Sequence, residues 1–175
     1  PARSKVGTFQ SSSLHIFNKA LGTIYEVKAG DIPGITEKRA VSYRSPVWSD
    51  DGSWAVVEVS ASDNKDRWIT LLDIKTGTLK LLDAQHDSAW IGGPGVGRGL
   101  LGWLPDNKTI YFQSEETGFS HLYLLDVTTG VKKQITSGSF EIYDAILSND
   151  KKTWYFISNE TDPGIRELYK MPVTG

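Results

Sequence analysis

Leu72-Asp73-Ile74-Lys75-Thr76-Gly77 returns 53 residues later as Leu125-Asp126-Val127-Thr128-Thr129-Gly130, and Pro172-Val173-Thr174-Gly175 is a shortened third copy. In both full copies an apolar run ends on an aspartate that can hydrogen-bond its own backbone, and a glycine closes the turn. A second motif repeats in step. Trp48-Ser49-Asp50-Asp51-Gly52 matches Trp103-Leu104-Pro105-Asp106-Asn107, 55 residues on, and Leu147-Ser148-Asn149-Asp150 is a third version. Short runs separate the motifs: W-A-V-V-E-V at 54–59, R-W-I-T-L-L-D at 67–73, T-I-Y-F-Q at 109–113, H-L-Y-L-L-D at 121–126, T-W-Y-F-I at 153–157 and E-L-Y-K-M at 167–171. These runs are rich in β-branched and aromatic residues and have strand length. No window carries a 3.6-residue apolar stripe longer than two turns, so almost no helix is expected.

Each unit therefore reads strand, tight turn, strand, longer loop, strand, D-x-x-T-G turn, strand. A four-stranded meander cannot bury both faces by itself, and stacking around an axis is the usual solution. The expected fold is all-β, an incomplete β-propeller of about three four-stranded antiparallel blades plus part of another. Units fall at 43–86 and 100–138, with a third from 143 that stops at the turn before its fourth strand; 14–27 reads as the end of an earlier blade. The division is 1–42 for that end and a linker, 43–99 for a blade with a Gly-rich crossing loop, 100–142 for a blade and 143–175 for an incomplete blade. A β-sandwich or open meander would use the same strands without the radial repeat.

Composition narrows the function. The 175 residues are 39% hydrophobic and 23% charged, with a net charge of -2. That is a globular balance, with no apolar run long enough to span a membrane and no basic excess to attract nucleic acid. The absence of cysteine removes disulfides and thiolate chemistry. Three scattered histidines (His15, His86 and His121) leave little for a metal site, and no cofactor is expected. The opening Pro1-Ala2-Arg3-Ser4 lacks an initiator Met and reads as part of something longer.

The run Phe112-Gln113-Ser114-Glu115-Glu116-Thr117-Gly118-Phe119-Ser120-His121-Leu122-Tyr123-Leu124 resembles the propeller of the prolyl oligopeptidase/dipeptidyl peptidase IV family. So do Lys133-Gln134-Ile135-Thr136-Ser137-Gly138, Phe140-Glu141-Ile142, Trp154-Tyr155-Phe156-Ile157-Ser158-Asn159-Glu160 and Glu167-Leu168-Tyr169. The resemblance covers residues 41–175. It implies a serine exopeptidase, periplasmic or extracellular, that removes dipeptides with Pro or Ala second through an acyl-enzyme. In that family the propeller walls and gates the chamber, while an α/β-hydrolase domain carries the catalytic residues. The α/β-hydrolase domain of the same polypeptide and a peptide substrate are the implied partners. No G-x-S-x-G elbow occurs here; Gly118-Phe119-Ser120-His121-Leu122 lacks the last glycine and no helix follows. Ser120 and His121, as neighbours on a strand, point to opposite faces. No catalytic residue is expected within this chain. The alternative is a stand-alone TolB-like binding or scaffolding propeller.

The family's acidic pair for the substrate amino terminus lies on a helical insert. Glu115 and Glu116 are adjacent but sit in a hairpin turn, so they match the ordinary blade motif and remain a weaker candidate pair. The irregular stretch 87–99 holds five glycines between positions 92 and 99, which permits close approach of backbone to a ligand or domain. Trp90, Gly93, Gly95 and Arg98 are the substrate or domain-interface candidates. Trp48, Trp54, Trp68, Trp103 and Trp154 are expected in the core between blades, with Trp90 the exception. Asn107-Lys108-Thr109 and Asn159-Glu160-Thr161 fit a glycosylation acceptor pattern, though Asn is favoured in turns anyway. Strand alternation places the 92–99 crossing beside 61–66 and 114–119 at one end of the array, opposite the D-x-x-T-G turns. Open blade edges are expected to pair with another copy.

Overall fold

The computed structural model describes residues 11–97 and 99–175. Among these residues the fold is all-β, with fourteen strands in four antiparallel sheets. A two-stranded hairpin comes first, β1 (His15–Asn18) and β2 (Thr23–Glu26). The second sheet contains β3 (Val41–Tyr43), β4 (Val47–Trp48), β5 (Ala55–Ala61), β6 (Asp66–Asp73) and β7 (Thr78–His86). Both β3 and β4 pair with β5, so they form one inner strand interrupted at 44–46. The third sheet runs β8 (Leu101–Trp103), β9 (Thr109–Ser114), β10 (His121–Asp126) and β11 (Lys132–Gln134) in order. The fourth has three strands: β12 (Ile142–Leu147), β13 (Thr153–Ser158) and β14 (Glu167–Pro172).

The sequence repeat is a structural repeat down to single bonds. Asp73 Oδ1 accepts from the amides of Lys75 and Thr76 at 2.8 and 3.3 Å, and Asp126 Oδ1 accepts from Thr128 and Thr129 at 2.8 and 3.0 Å. In the other motif the amide of Ser49 donates to Trp54 O, that of Leu104 to Thr109 O, and that of Ser148 to Thr153 O, all between 2.8 and 2.9 Å. Gly52, Asn107 and Lys151 occupy the matching left-handed position, with φ of 70, 54 and 59°.

Three apolar clusters hold the sheets together, one per junction. Ala55, Val57, Val59 and Ala61 turn back toward the first hairpin and meet Leu14 and Ile16. Their neighbours across the pleat, Val56, Ile69 and Leu71, turn forward onto Trp103, Ile110, Phe112, Tyr123 and Leu125. Leu122 and Tyr111 carry the third junction against Ile142, Trp154 and Phe156, with Tyr111 edge-on to Trp154 at 5.0 Å. This is the alternation expected of strands with both faces covered. The equivalent ring pairs Phe112–Tyr123 and Phe156–Tyr169 stack at 5.7 and 5.6 Å.

The tryptophans divide differently from the sequence expectation. Trp68, Trp103 and Trp154 are buried, and each indole N–H donates to a carbonyl (Pro33, Val47 and Val173). Trp48 and Trp54 are 48% and 36% exposed. They lie at the end of the interrupted inner strand and just after its turn, where neither is enclosed. Trp48 instead lines a cavity of about 440 Å³ with Phe17, Tyr25, Leu72 and Ile74.

Candidate functional site

The crossing from β7 to β8 starts where Asp87 caps its own turn. Its carboxylate accepts from the amides of Ala89 and Trp90 at 2.7 and 2.8 Å, and those bonds, the one from Trp90 foremost, hold it below the usual carboxylate range. The loop then crosses the same end of the sheets as the 61–66 and 114–119 connections. The amide of Ile91 donates to Asn64 O at 2.7 Å, and that of Gly92 to Glu115 Oε2 at 3.1 Å. At the opposite end, the Asp51 amide donates to Asn107 Oδ1 at 3.3 Å, and the Val127 amide to Lys108 O at 2.9 Å. The crossing loop and the D-x-x-T-G turns therefore occupy opposite ends, as strand alternation requires.

Within the loop, the close approach that glycine permits is made to side chains of this chain. Trp90, 67% exposed, lies against Gly92, and the Glu115 carboxylate lies over Gly93. Gly95, at φ 74°, sits on the Gln113 amide where any side chain would overlap it. Arg98 lies outside the described residues. Gln113 is buried, and its Nε2 donates to Ile142 O at 2.9 Å and Ser120 Oγ at 3.2 Å. The Ser120 hydroxyl donates in turn to Pro94 O at 2.6 Å. His121 faces the other way, within hydrogen-bond reach of Thr136 Oγ1 and Gly138 O and edge-on to Phe140. Ser120 and His121 thus share no proton path, and each is fully used in packing.

Glu115 and Glu116 also diverge. Glu115 turns to the loop, whereas Glu116 accepts from Lys132 Nζ at 2.5 Å, and Lys132 also reaches Asp83 at 2.7 Å. Burial works against the Lys132 charge, but the bonds to Asp83 and Glu116 outweigh it and raise its pKa. A cavity of about 340 Å³ opens between Gln85, His86, Asp87, Ile91, Glu115 and Glu116. Its carboxylates are already engaged: Asp87 by the amides of Ala89 and Trp90, Glu115 by that of Gly92, and Glu116 by Lys132. Among the described residues, no group of three or more His, Asp or Glu is arranged to hold a metal ion. No helix among them is long and apolar enough to cross a membrane.

Beneath the loop lies a polar network that the sequence reading did not single out. Glu58 and Arg67 are both buried and paired at 2.7 Å. Arg67 Nη1 donates to Gln113 O at 2.7 Å and to Gln85 Oε1 at 3.3 Å, so one guanidinium joins β5, β6, β7 and β9. The visible signal was Glu58 itself, a carboxylate inside the apolar run Val56-Val57-Glu58-Val59. A charge there must be paired or neutral, but its partner comes from pairing across the sheet. Asn107 and Asn159, the two possible glycosylation residues, use their side-chain oxygens internally, on the amides of Asp51 and Glu141.

Residues 9–175 match the dipeptidyl peptidase IV (DPP IV) N-terminal region. The chain belongs to that family. It is 25% identical to dipeptidyl-peptidase 5 of Porphyromonas gingivalis over 130 residues, which is 73% of this chain and 18% of that protein. Its fold is similar to the crystal structure of P. gingivalis dipeptidyl peptidase 4, with a TM-score of 0.72 and 21% identity over 93% of this chain and 22% of that one. A Bacteroides ovatus structure described as a candidate dipeptidyl aminopeptidase IV gives 0.69 and 18%, covering 93% and 24%. TolB from Acinetobacter baumannii gives 0.52 and 20%, covering 91% and 35%. The DPP IV-type chain thus spans about a fifth of the peptidase relatives and homologises with their N-terminal β-propeller region.

Proposed function

We propose that this chain is a non-catalytic part of the propeller of an exported, DPP IV-like serine exopeptidase, and that it walls and gates the chamber in which peptide is cleaved. The match of residues 9–175 to the DPP IV N-terminal region carries the reading. The four sheets are read as consecutive blades, with the divisions at 42, 99 and 142. The end bearing the crossing loop faces peptide and the α/β-hydrolase domain of the same polypeptide, with Trp90, Gly93, Gly95 and Arg98 at the contact. That domain supplies the serine nucleophile, and dipeptides with Pro or Ala second leave through an acyl-enzyme. Glu115 and Glu116, directed apart, act as turn and loop anchors.

The test uses chromogenic Gly-Pro and Ala-Pro substrates. The chain alone releases no product, and the protein of the complete reading frame does. In that protein Arg98→Ala and Trp90→Ala lower kcat/KM about tenfold while the melting temperature holds. Turnover by the chain alone that disappears in Ser120→Ala would overturn the reading. The TolB similarity supports a second one, a binding propeller with no peptidase domain. A complete reading frame that lacks the series G-x-S-x-G, then Asp, then His decides for it.

The outward face of β12–β14 bears on partners. Ile146, Tyr155 and Leu168 are exposed there in a row with Lys170, at the position where the two earlier sheets each receive the next one. At the other end Phe17 and Ile24 are exposed opposite each other on β1–β2, beside Glu26. We read these as faces that pair head to tail with a second copy when the chain is alone in solution.

A further inference from the structure

The geometry points to Arg44 as the positioning residue of the crossing loop: its guanidinium clamps the loop backbone to the buried Glu58–Arg67 pair. The importance of that loop rests on the functional reading above, but the clamp itself does not. Arg44 occupies the interruption between β3 and β4, where its own amide still donates to Glu58 O at 2.9 Å. Leaving the regular strand frees its side chain to run along the sheet end. There Nε donates to Glu58 Oε1 at 2.8 Å and Nη2 donates to Gly97 O at 3.1 Å.

What lies behind Arg44 is buried and bonded on both sides. The second oxygen of Glu58 is held by Arg67 Nη2 at 2.7 Å, and Arg67 is itself tied to the β9 backbone at Gln113 O. A continuous series of bonds thus runs from β9 through Arg67 and Glu58 to Arg44 and out to Gly97. The loop is shaped to accept it. At Gly99 a methyl group would sit 3.0 Å from Arg44 Cζ and Nε, so the backbone lies directly on the guanidinium.

The loop is consequently held by both sheets, with Ile91 also bound to Asn64 of the second. Gly92 and Pro94 are bound by Glu115 and Ser120 of the third sheet, and Gly97 is bound by Arg44 of the second. The loop spans the junction between them. The two bonds leave from separate nitrogens, Nε and Nη2, of one planar group; a lysine gathers its donors on one nitrogen of a flexible stem, so one that follows Glu58 leaves Gly97 O without the donor that Nη2 supplies. This separates the clamp from the charge.

Hydrogen exchange read by mass spectrometry on the 175-residue chain tests it, comparing the parent sequence with Arg44→Ala and Arg44→Lys. Amides of 92–97 are expected to exchange about tenfold faster in both variants, while peptides of β9, β10 and β13 keep their rates. The lysine variant is expected to melt within about 2 °C of the parent because its ion pair with Glu58 survives. Unchanged exchange at 92–97 in the alanine variant would overturn the proposal, as would parental exchange in the lysine variant. Uniform acceleration across all sheets would also overturn it, since Arg44 would then be serving general stability. Peptidase activity does not enter this measurement, so loss of the clamp and loss of the peptidase reading are separate results.

Discussion

The sheet of β3–β7 and the sheet of β12–β14 share turn chemistry and strand order, yet they differ in burial. Along β5 nearly every residue is buried, whereas β12 beyond the buried Ile142, and β14, mix partly buried and exposed residues. The position equivalent to Glu58 in β5 is Gln113 in β9 and Ile157 in β13. It holds an ion pair in the first, a buried amide in the second, and a partly exposed apolar side chain in the third. A strand of this repeat can therefore be covered on both faces only where a sheet follows it. The polar bridges between sheets stand where two sheets meet.

The largest expected effect tests that contrast directly. Trp68→Ala, in the doubly covered sheet, should cost about 3–5 kcal/mol, and Leu168→Ala on the outward face should stay within about 0.5 kcal/mol. Urea unfolding at a dilution where the chain is monomeric measures both; a Leu168 cost approaching that of Trp68 there would mean its face is covered within the single chain. Next is an exchange at the equivalent position. Gln113→Ile removes the bonds to Ile142 O and Ser120 Oγ and should lose about 1–3 kcal/mol, while Ile157→Gln should be close to neutral. Equal losses would show that the two junctions are not distinguished by their polar bridges.

Self-association distinguishes the faces without a change in fold. Leu168→Lys should shift sedimentation toward monomer at high concentration and leave the thermal midpoint in place. A parent chain that is monomeric throughout would remove the head-to-tail pairing. The aspartate-capped turns of the second, third and fourth sheets predict a shared response to acid. Backbone donation from Lys75 lowers the Asp73 pKa, and the Thr128 and Ser148 hydroxyls lower those of Asp126 and Asp150. Carboxylates lowered on folding contribute stability above their unfolded pKa of about 4 and lose it as pH falls further. The melting temperature should be level from pH 7 to about 5 and decline below about 4, less steeply in Asp126→Asn. The smallest effect belongs to Lys151, which stands left-handed where the earlier copy has Gly52. Lys151→Gly should stabilise by about 0.5–1 kcal/mol, since relief of the left-handed strain exceeds the added chain entropy.

Much of the architecture was legible because its signals are local. An aspartate that caps its own turn does so with atoms two or three residues away, so the D-x-x-T-G copies announce themselves without a fold. Strand alternation placed the crossing loop at the end opposite those turns, and it set Ser120 and His121 on different faces. The candidate site was read less completely. Trp90, Gly93 and Gly95 were found by glycine density, but Arg44, Glu58, Arg67 and Gln113, which hold the loop, were not. Their partners lie 9 to 53 residues away in sequence, joined across strands and between sheets.

The residues alone determined the order of strands and turns and the repeat, because both follow from short-range backbone preference and spacing, while the family was read from the resemblance of 112–124 and the motifs after it. Only the tertiary structure decided that Trp68, Trp103 and Trp154 are core while Trp48 and Trp54 are not, that Glu58 is buried against Arg67, and that the loop glycines receive the chain's own side chains. Alternation states which way a side chain points. Which atoms it meets there is fixed by the sheet packed against it, and that contact is made between segments far apart in the chain.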